Sequence, residues 1–229
     1  MQDGILEWEP QAPDPEAMRR RLHLDEDSDP DDLEDLDRMM REATAAARPK
    51  AVFRVTPVTA RGADWAELGS VRVESALAAQ KLPEVCAAYI ATCGTEAAAW
   101  AAAYRSDPLQ AFWADELMLA FLHQASAGLQ AYLKENVFGG AAYSSLNPGS
   151  LKEWPVTGQR AVFALLGAGE DGIVPGIGVR LTPECLMVPA KSVSGLAFLS
   201  EAGFVNCAYC PRVSCPNRRA PFGGRSPLS

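Results

Sequence analysis

An amphipathic pattern marks the first helix that the sequence predicts. A strongly acidic run, Asp25 to Asp37, leads into apolar residues at helical spacing, namely Leu33, Leu36, Met39 and Met40. Asp31 or Asp32 is the expected N-cap, because a carboxylate there accepts backbone N–H groups and suits the positive end of the helix dipole. We expect this helix to pack its apolar face onto the body of the protein, with its acidic face in solvent.

The longest helical pattern lies in the middle of the chain. Asp107 and Pro108 form a start signal, an N-cap followed by proline at the first helical position, and apolar residues recur at helical spacing as far as Tyr132. The sequence therefore predicts a helix from Pro108 to about Lys134. Three shorter helices are predicted from near Ser75 to Pro83, from an N-cap at Thr95 through Tyr104, and from Val156 to a glycine stop at Gly167.

Strands are predicted where β-branched and apolar residues alternate or run together. Ala51 to Val58 alternate, and Val85 to Gly94 form an apolar run typical of a buried strand, although its alanines leave a buried helix open. Pro175 to Ser200 predict two or three antiparallel strands. Because the strands need not alternate with helices as βαβ units, the expected fold class is α+β, an antiparallel sheet with long helices.

Composition narrows the class of protein and its partners. The 229 residues are 48% hydrophobic and carry a net charge of −8, which fits a globular chain and argues against nucleic acid or an anionic membrane surface as the main partner. A secretory signal pattern and a membrane-length apolar run are both lacking, so we expect a cytoplasmic protein. It divides into an acidic N-terminal arm that packs on the body (residues 1–50), a core (51–200) and a Cys-rich C-terminal segment (201–229).

Catalysis by histidine has little support in this sequence. The two histidines, His23 and His123, have no Ser-His-Asp or metal-ligand spacing around them, and we expect His123 on a helix surface. Asp115 and Glu116 are adjacent, so on a helix they point about 100° apart and cannot face each other as an acid/base pair. The glycines lack the strand–turn–helix frame of a Rossmann or P-loop fingerprint.

A sharp turn is predicted at Asn147 to Ser150, just before a helix. Asn147 and Pro148 set up the turn, Gly149 can take positive φ, and Ser150 can bond the local backbone. Such a loop is either a plain connection or a place where backbone N–H groups face a polar ligand.

Several separate motifs occur in the order found in one known family. The loop Pro148-Gly149, the strand motif Leu181-Thr182 with Met187 and Pro189, and the uninterrupted Ser192-Val193-Ser194-Gly195 resemble the activation domain of cobalamin-dependent methionine synthase and its small stand-alone relatives. The resemblance covers roughly Arg48 to Ser200.

The resemblance implies a role in repairing a corrinoid cofactor. In that family the domain caps cobalamin (vitamin B12) while an electron and a methyl group from S-adenosylmethionine return inert cob(II)alamin to methylcobalamin. For this chain it implies a reactivation subunit with an accessory activity in methionine biosynthesis. Its partners would be a low-potential electron donor and a corrinoid-binding methionine synthase that carries the cobalamin and lacks an activation domain of its own. The cofactor-binding loop would be Asn147, Pro148, Gly149 and Ser150.

The chain also departs from the family pattern. Where the family loop has arginine and tyrosine, this chain has Ser145 and Ser150, and Pro183-Glu184-Cys185 replace Glu-Ser-Phe after the Leu-Thr motif. Arginine pairs with a carboxylate through its bidentate fork, and serine cannot replace that charge. The sequence therefore predicts a variant that binds S-adenosylmethionine weakly or not at all, and an independent methyltransferase is disfavoured for the same reason.

The C-terminal segment contains three cysteines at C-x2-C-x4-C spacing, Cys207, Cys210 and Cys215. No apolar periodicity accompanies them, and a disulfide is not expected in a cytoplasmic protein. We hypothesise that they bind a metal centre with Cys185 as fourth ligand, whereas Cys86 and Cys93 are expected to be buried hydrophobes. The spacing favours zinc and the implied electron transfer favours an iron–sulfur cluster, so an iron–sulfur or zinc redox or regulatory protein is the alternative function.

Overall fold

The computed structural model describes residues 2–200, 203–215, 218, 220–224 and 227–228. Its helices are α1 (Pro15–Leu22), α2 (Pro30–Ala46), α3 (Ala76–Lys81), α4 (Thr95–Ala101), α5 (Pro108–Asn136), α6 (Gln159–Leu166) and α7 (Asn206–Tyr209). Its strands are β1 (Asp3–Glu7), β2 (Lys50–Arg61), β3 (Trp65–Leu68), β4 (Val71–Glu74), β5 (Val85–Thr92), β6 (Tyr143–Leu146), β7 (Arg180–Leu181), β8 (Met187–Val188) and β9 (Ser192–Leu199).

The main sheet is antiparallel, with the strand order β4-β3-β2-β5-β9-β6. Strand β2 has 12 residues, so it pairs with β1 along its first half and with β3 along its second half. Strands β7 and β8 form a separate hairpin. This arrangement of helices on an antiparallel sheet confirms the predicted α+β class.

Each face of the sheet carries its own hydrophobic core. Helices α2, α4 and α5 supply one core, around Met39, Trp113 and Phe121, and helices α3 and α6 supply the other, around Leu77 and Phe163. Strand β5 lies between the two cores and is buried from its second residue onward. Its many alanines let helices approach both faces closely, so the apolar run is a buried strand, and the alternative helix is wrong.

The predicted helices form, but two of their caps differ from the prediction. The N-cap of α2 is Asp29, whose carboxylate accepts the backbone N–H of Asp31, because Pro30 is the first helical residue. Helix α4 starts at Thr95 and is capped by Gly94, whose φ of +97° suits glycine. The end of that predicted helix, residues 102–104, is a short 3-10 turn.

The remaining predictions for helices agree with the structure. Asp107 caps α5 by accepting the backbone N–H groups of Leu109 and Gln110. His123 is exposed on α5, as expected. Asp115 and Glu116 diverge, since Asp115 pairs with Lys191 at 2.7 Å and Glu116 pairs with Arg21. In the described residues, no helix is long and apolar enough to cross a membrane. The division at residues 50 and 200 stays a prediction.

Candidate functional site

The predicted loop follows β6, at the edge of the sheet. Ser150 donates its backbone N–H to the carbonyl of Asn147 (3.1 Å), and Gly149 donates to the carbonyl of Trp154 (2.8 Å), which closes the turn. Gly149 has a φ of +82°, and a Cβ there would lie 3.3 Å from the Cβ of Val156. Pro148 is buried behind the turn and Gly149 is exposed, so the loop presents its tip to solvent.

Asn147 is the centre of a hydrogen-bond network that joins this loop to the sheet. Its Nδ2 donates to Tyr89 Oη of β5 (2.7 Å) and to the carbonyl of Ser194 on β9 (2.8 Å). Its Oδ1 accepts from Nδ2 of Asn206 on α7 (2.9 Å). One amide therefore fixes the loop, two strands and the C-terminal segment relative to one another.

Gly195 makes room for this network. A Cβ at Gly195 would lie 2.6 Å from Asn147 Nδ2 and 2.7 Å from Tyr89 Oη, closer than side chains approach in proteins. It would also lie 2.5 Å from the backbone carbonyl oxygen of Leu146, so the glycine that ends the Ser-Val-Ser-Gly motif is required by the neighbouring backbone of β6 as well as by this network.

A cavity of about 460 Å³ lies beside Asn147, between α5, the sheet and the C-terminal segment. Strands β5, β9 and β6 form its floor with Tyr89, Ala91, Val193, Ala197, Tyr143, Ser144 and Ser145. Helix α5 forms one wall with Ser126, Leu129, Gln130 and Leu133. The loop and the C-terminal segment complete it with Asn147, Ser150, Phe204, Val205, Asn206 and Cys207.

The lining of this cavity is uncharged. Among the described residues it contains no Asp, Glu, Lys, Arg or His side chain, and its polar groups are hydroxyls, amides and one thiol. Ser145, which stands where the resembling family has arginine, is one of these residues. The described lining residues can therefore offer neutral hydrogen bonds and apolar contact, but no ion pair.

The C-terminal segment forms part of the cavity lining and is held by contacts of its own. Val205 forms a parallel bridge with Ser145, which extends the sheet beyond its edge strand. Phe204 stacks on Tyr209 with ring centroids 5.1 Å apart. The guanidinium of Arg218 donates to the carbonyl oxygens of Cys207, Cys210, Arg212 and Ala220, and so fixes the fold of the segment.

The structure places two of the four predicted loop residues at the cavity. Asn147 and Ser150 line the cavity, and Pro148 and Gly149 shape the turn behind them. Cys207 also lines it, although it was predicted only as a metal ligand.

The metal centre that the cysteines predict stays a prediction. Cys185 is buried in the turn between β7 and β8 with a φ of +63°, whereas Cys207, Cys210 and Cys215 are half-buried on the C-terminal segment. The described residues contain no group of three or more His, Cys, Asp or Glu side chains that could hold a metal ion.

Cys86 and Cys93 are buried hydrophobes, as expected. Burial raises the pKa of each thiol to about 12, so both remain protonated at neutral pH.

Three residues of the site were not recognised in the sequence, namely Tyr89, Gln130 and Asn206. Tyr89 is the one large polar-tipped residue within the alanine-rich β5, and that contrast was an available signal. Gln130 lies within the regular helical pattern of α5, and Asn206 lies beside Cys207 in the Cys-rich C-terminal segment. Neither carries a local signal, because their roles depend on contacts with distant parts of the chain.

Comparison with known proteins supports the fold. The chain is similar to a solved structure described as the MetH reactivation domain bound to AdoHcy, with a TM-score of 0.60 and 19% sequence identity over 88% of this chain and 80% of that chain. No protein-family model and no curated protein matches the sequence. At this identity the likeness shows a shared α+β fold, and it agrees with the family that the sequence motifs resemble.

Proposed function

We propose that this chain is a reactivation subunit for a corrinoid protein, which supports the return of cob(II)alamin to methylcobalamin in methionine synthesis. The observation that carries the proposal is the position of the Asn147 to Ser150 loop beside the cavity, in a chain whose fold resembles a MetH reactivation domain. The partner would be a corrinoid-binding methionine synthase without its own activation domain, in the cytoplasm, together with a low-potential electron donor.

In this role the protein binds and orients, and the corrinoid supplies the redox chemistry. The Asn147 network holds the loop at a fixed height above the sheet, with Gly149 at its exposed tip. A large planar cofactor can approach such a tip closely only where no side chain projects. Asn147 and Ser150 can bond to the neutral carboxamides at the edge of a corrinoid, without any ion pair.

The experiment is a reactivation assay with a cob(II)alamin-loaded methionine synthase, a reductant and a methyl donor, followed by the absorbance of methylcobalamin. We expect Gly149→Val to abolish the gain that the wild type gives, because the branched side chain blocks the loop tip. Gly69→Val is a matched control: its φ is +59° and a Cβ there would lie 3.3 Å from Thr56, in the β3–β4 turn at the opposite edge of the sheet. Both variants carry similar backbone strain, of order 1–3 kcal/mol.

The two variants separate loss of function from loss of stability. Activity lost in both variants indicates instability, whereas activity lost only in Gly149→Val supports the loop as the docking element. If the wild-type chain gives no gain in methylcobalamin with any reductant tried, the proposed function is wrong. A redox-active cluster on such an inactive chain would then favour the iron–sulfur or zinc alternative, which rests on the three half-buried cysteines of the C-terminal segment.

A further inference from the structure

We infer that the cavity selects an uncharged heteroaromatic ligand, of the size of a purine nucleoside, and rejects ligands with a charged amino-acid group. The inference deepens the proposed function, since it concerns the same cavity, and it rests on that function for its biological meaning. The physical basis is the uncharged lining among the described residues.

An amino-acid group needs charged partners when it leaves water. Its carboxylate and ammonium each lose hydration on burial, and neutral hydroxyls and amides compensate only part of that loss. The cavity floor has Ser145 where the resembling family has arginine, and no described lining residue supplies a positive charge from another element. The described lining residues therefore do not fit AdoHcy or S-adenosylmethionine, which both carry this group.

The remaining features of the cavity suit a neutral ring system. Its apolar part is formed by Leu129, Leu133 and Val193, and aromatic rings from Tyr143 and Phe204 also line it. Rings of this kind contact a heteroaromatic base favourably. Asn206, which also lines the cavity, has a buried Oδ1 without a hydrogen-bond partner among the described atoms, which leaves an acceptor for an amino or hydroxyl group of a ligand.

A matched pair of ligands tests the selectivity directly. 5′-Methylthioadenosine and AdoHcy share the adenosine and the thioether, and only AdoHcy has the amino-acid group. Isothermal titration calorimetry of the purified full chain is expected to show at least tenfold tighter binding of 5′-methylthioadenosine. Equal or tighter binding of AdoHcy overturns the inference, and so does the absence of binding by 5′-methylthioadenosine at millimolar concentration.

Ser145 is the specificity-determining residue in this scheme. We expect Ser145→Arg to raise the affinity for AdoHcy at least tenfold without raising the affinity for 5′-methylthioadenosine, because the guanidinium then pairs with the carboxylate. Ser70→Arg is the control, since Ser70 is exposed in the β3–β4 turn at the far edge of the sheet and adds the same charge. A folded Ser145→Arg protein with unchanged affinity for AdoHcy overturns the role of Ser145.

Two measurements keep the outcomes separable. Thermal unfolding shows whether Ser145→Arg is folded, and the wild-type ligand pair tests the inference even if that variant is not. Calorimetry uses the chain alone, so a chain that prefers 5′-methylthioadenosine but fails the reactivation assay retains this inference and loses the proposed function. A chain that reactivates the corrinoid but binds AdoHcy more tightly retains the proposed function and loses this inference.

Discussion

At the scale of single residues, Gly195 makes room for the hydrogen-bond network of Asn147. Gly195 lies under the amide of Asn147, and any Cβ there would occupy the space of Asn147 Nδ2 and Tyr89 Oη. The amide in turn bonds to the carbonyl of Ser194 and to Nδ2 of Asn206. Buried networks of this kind hold one geometry because a displaced member leaves polar groups unpaired. The position of the loop therefore depends on side chains that lie on four separate segments.

The buried Cys86 makes the stability of the protein depend on pH. Burial raises the pKa of its thiol to about 12 in the folded protein, against about 8.5 in an unfolded chain. Stability is full below about pH 8.5 and falls as pH rises towards 12, because only the unfolded chain then loses the proton. Between pH 8.5 and 10 this titration lowers the free energy of unfolding of the wild type by about 1.5 kcal/mol. Cys86→Ala lacks the thiol, so we expect its free energy of unfolding to fall by about 1.5 kcal/mol less over the same range.

Urea denaturation at both pH values, with reducing agent present, measures this difference. The cavity that alanine leaves lowers stability equally at both pH values, so it cancels in the comparison. The same decrease in both proteins would show that Cys86 titrates normally in the fold.

At the scale of single elements, α2 offers a test of its cap. The carboxylate of Asp29 accepts the backbone N–H of Asp31 at 3.0 Å, whereas Asp31 contributes only its charge near the helix start. We expect Asp29→Ala to destabilise the protein by about 1 kcal/mol, because a backbone N–H loses its acceptor. Asp31→Ala is expected to cost less, and its cost should vanish at high salt, where the dipole interaction is screened. Thermal or urea unfolding at low and high salt checks both, and equal losses in the two variants would contradict the assignment of the cap.

The elements with a strong local signal were predicted, and those fixed by tertiary pairing were not. Helix α5 and strands β2, β5 and β9 have long apolar patterns or clear caps, and the structure confirms them. Strands β1 and β6 are only five and four residues long, too short for a clear local pattern, and they form by pairing with β2 and β9. The cap of α2 was misplaced because Pro30, two residues before Asp32, already occupies the first helical position.

The site was predicted in its loop but not in its surroundings. Turn chemistry at Pro148 and Gly149 is local, so the sequence gives the loop its shape. The cavity depends on α5, three strands and the C-terminal segment meeting in space, which no local pattern encodes. The uncharged lining among the described residues also follows from that assembly, although the sequence already shows Ser145 where the resembling family has arginine.

At the scale of the whole molecule, the C-terminal segment joins the loop after β6 to one of the two hydrophobic cores. Asn206 bonds to Asn147 and Val205 bridges to Ser145, so the segment is attached to β6 and to the first residue of the loop that follows it. Tyr209 and Cys210 pack against the core on the α3 and α6 face. The internal clamp is Arg218, whose Nη2 donates to the carbonyls of Cys210 at 2.6 Å and Arg212 at 3.0 Å.

Arg218 and Cys210 together test what holds this segment. Hydrogen bonds from a charged donor contribute about 1.5–3 kcal/mol each, so Arg218→Ala should raise tryptic cleavage after Arg212 at least tenfold in the native protein. Arg72→Ala, an exposed arginine on β4 at the opposite edge of the sheet, is the control. Unchanged cleavage in Arg218→Ala would show that the clamp contributes nothing.

Cys210→Ser addresses the metal centre predicted for Cys185, Cys207, Cys210 and Cys215. If these thiolates bind zinc or an iron–sulfur cluster, anaerobic wild-type protein contains the metal, and Cys210→Ser loses it and is cleaved faster after Arg212, because metal binding is coupled to folding of the segment. Elemental analysis and the same tryptic digestion measure both effects. Metal-free wild-type protein and unchanged cleavage in Cys210→Ser would show that the metal hypothesis is wrong. The hydrogen bonds of Arg218 would then be the interaction that holds the segment in place.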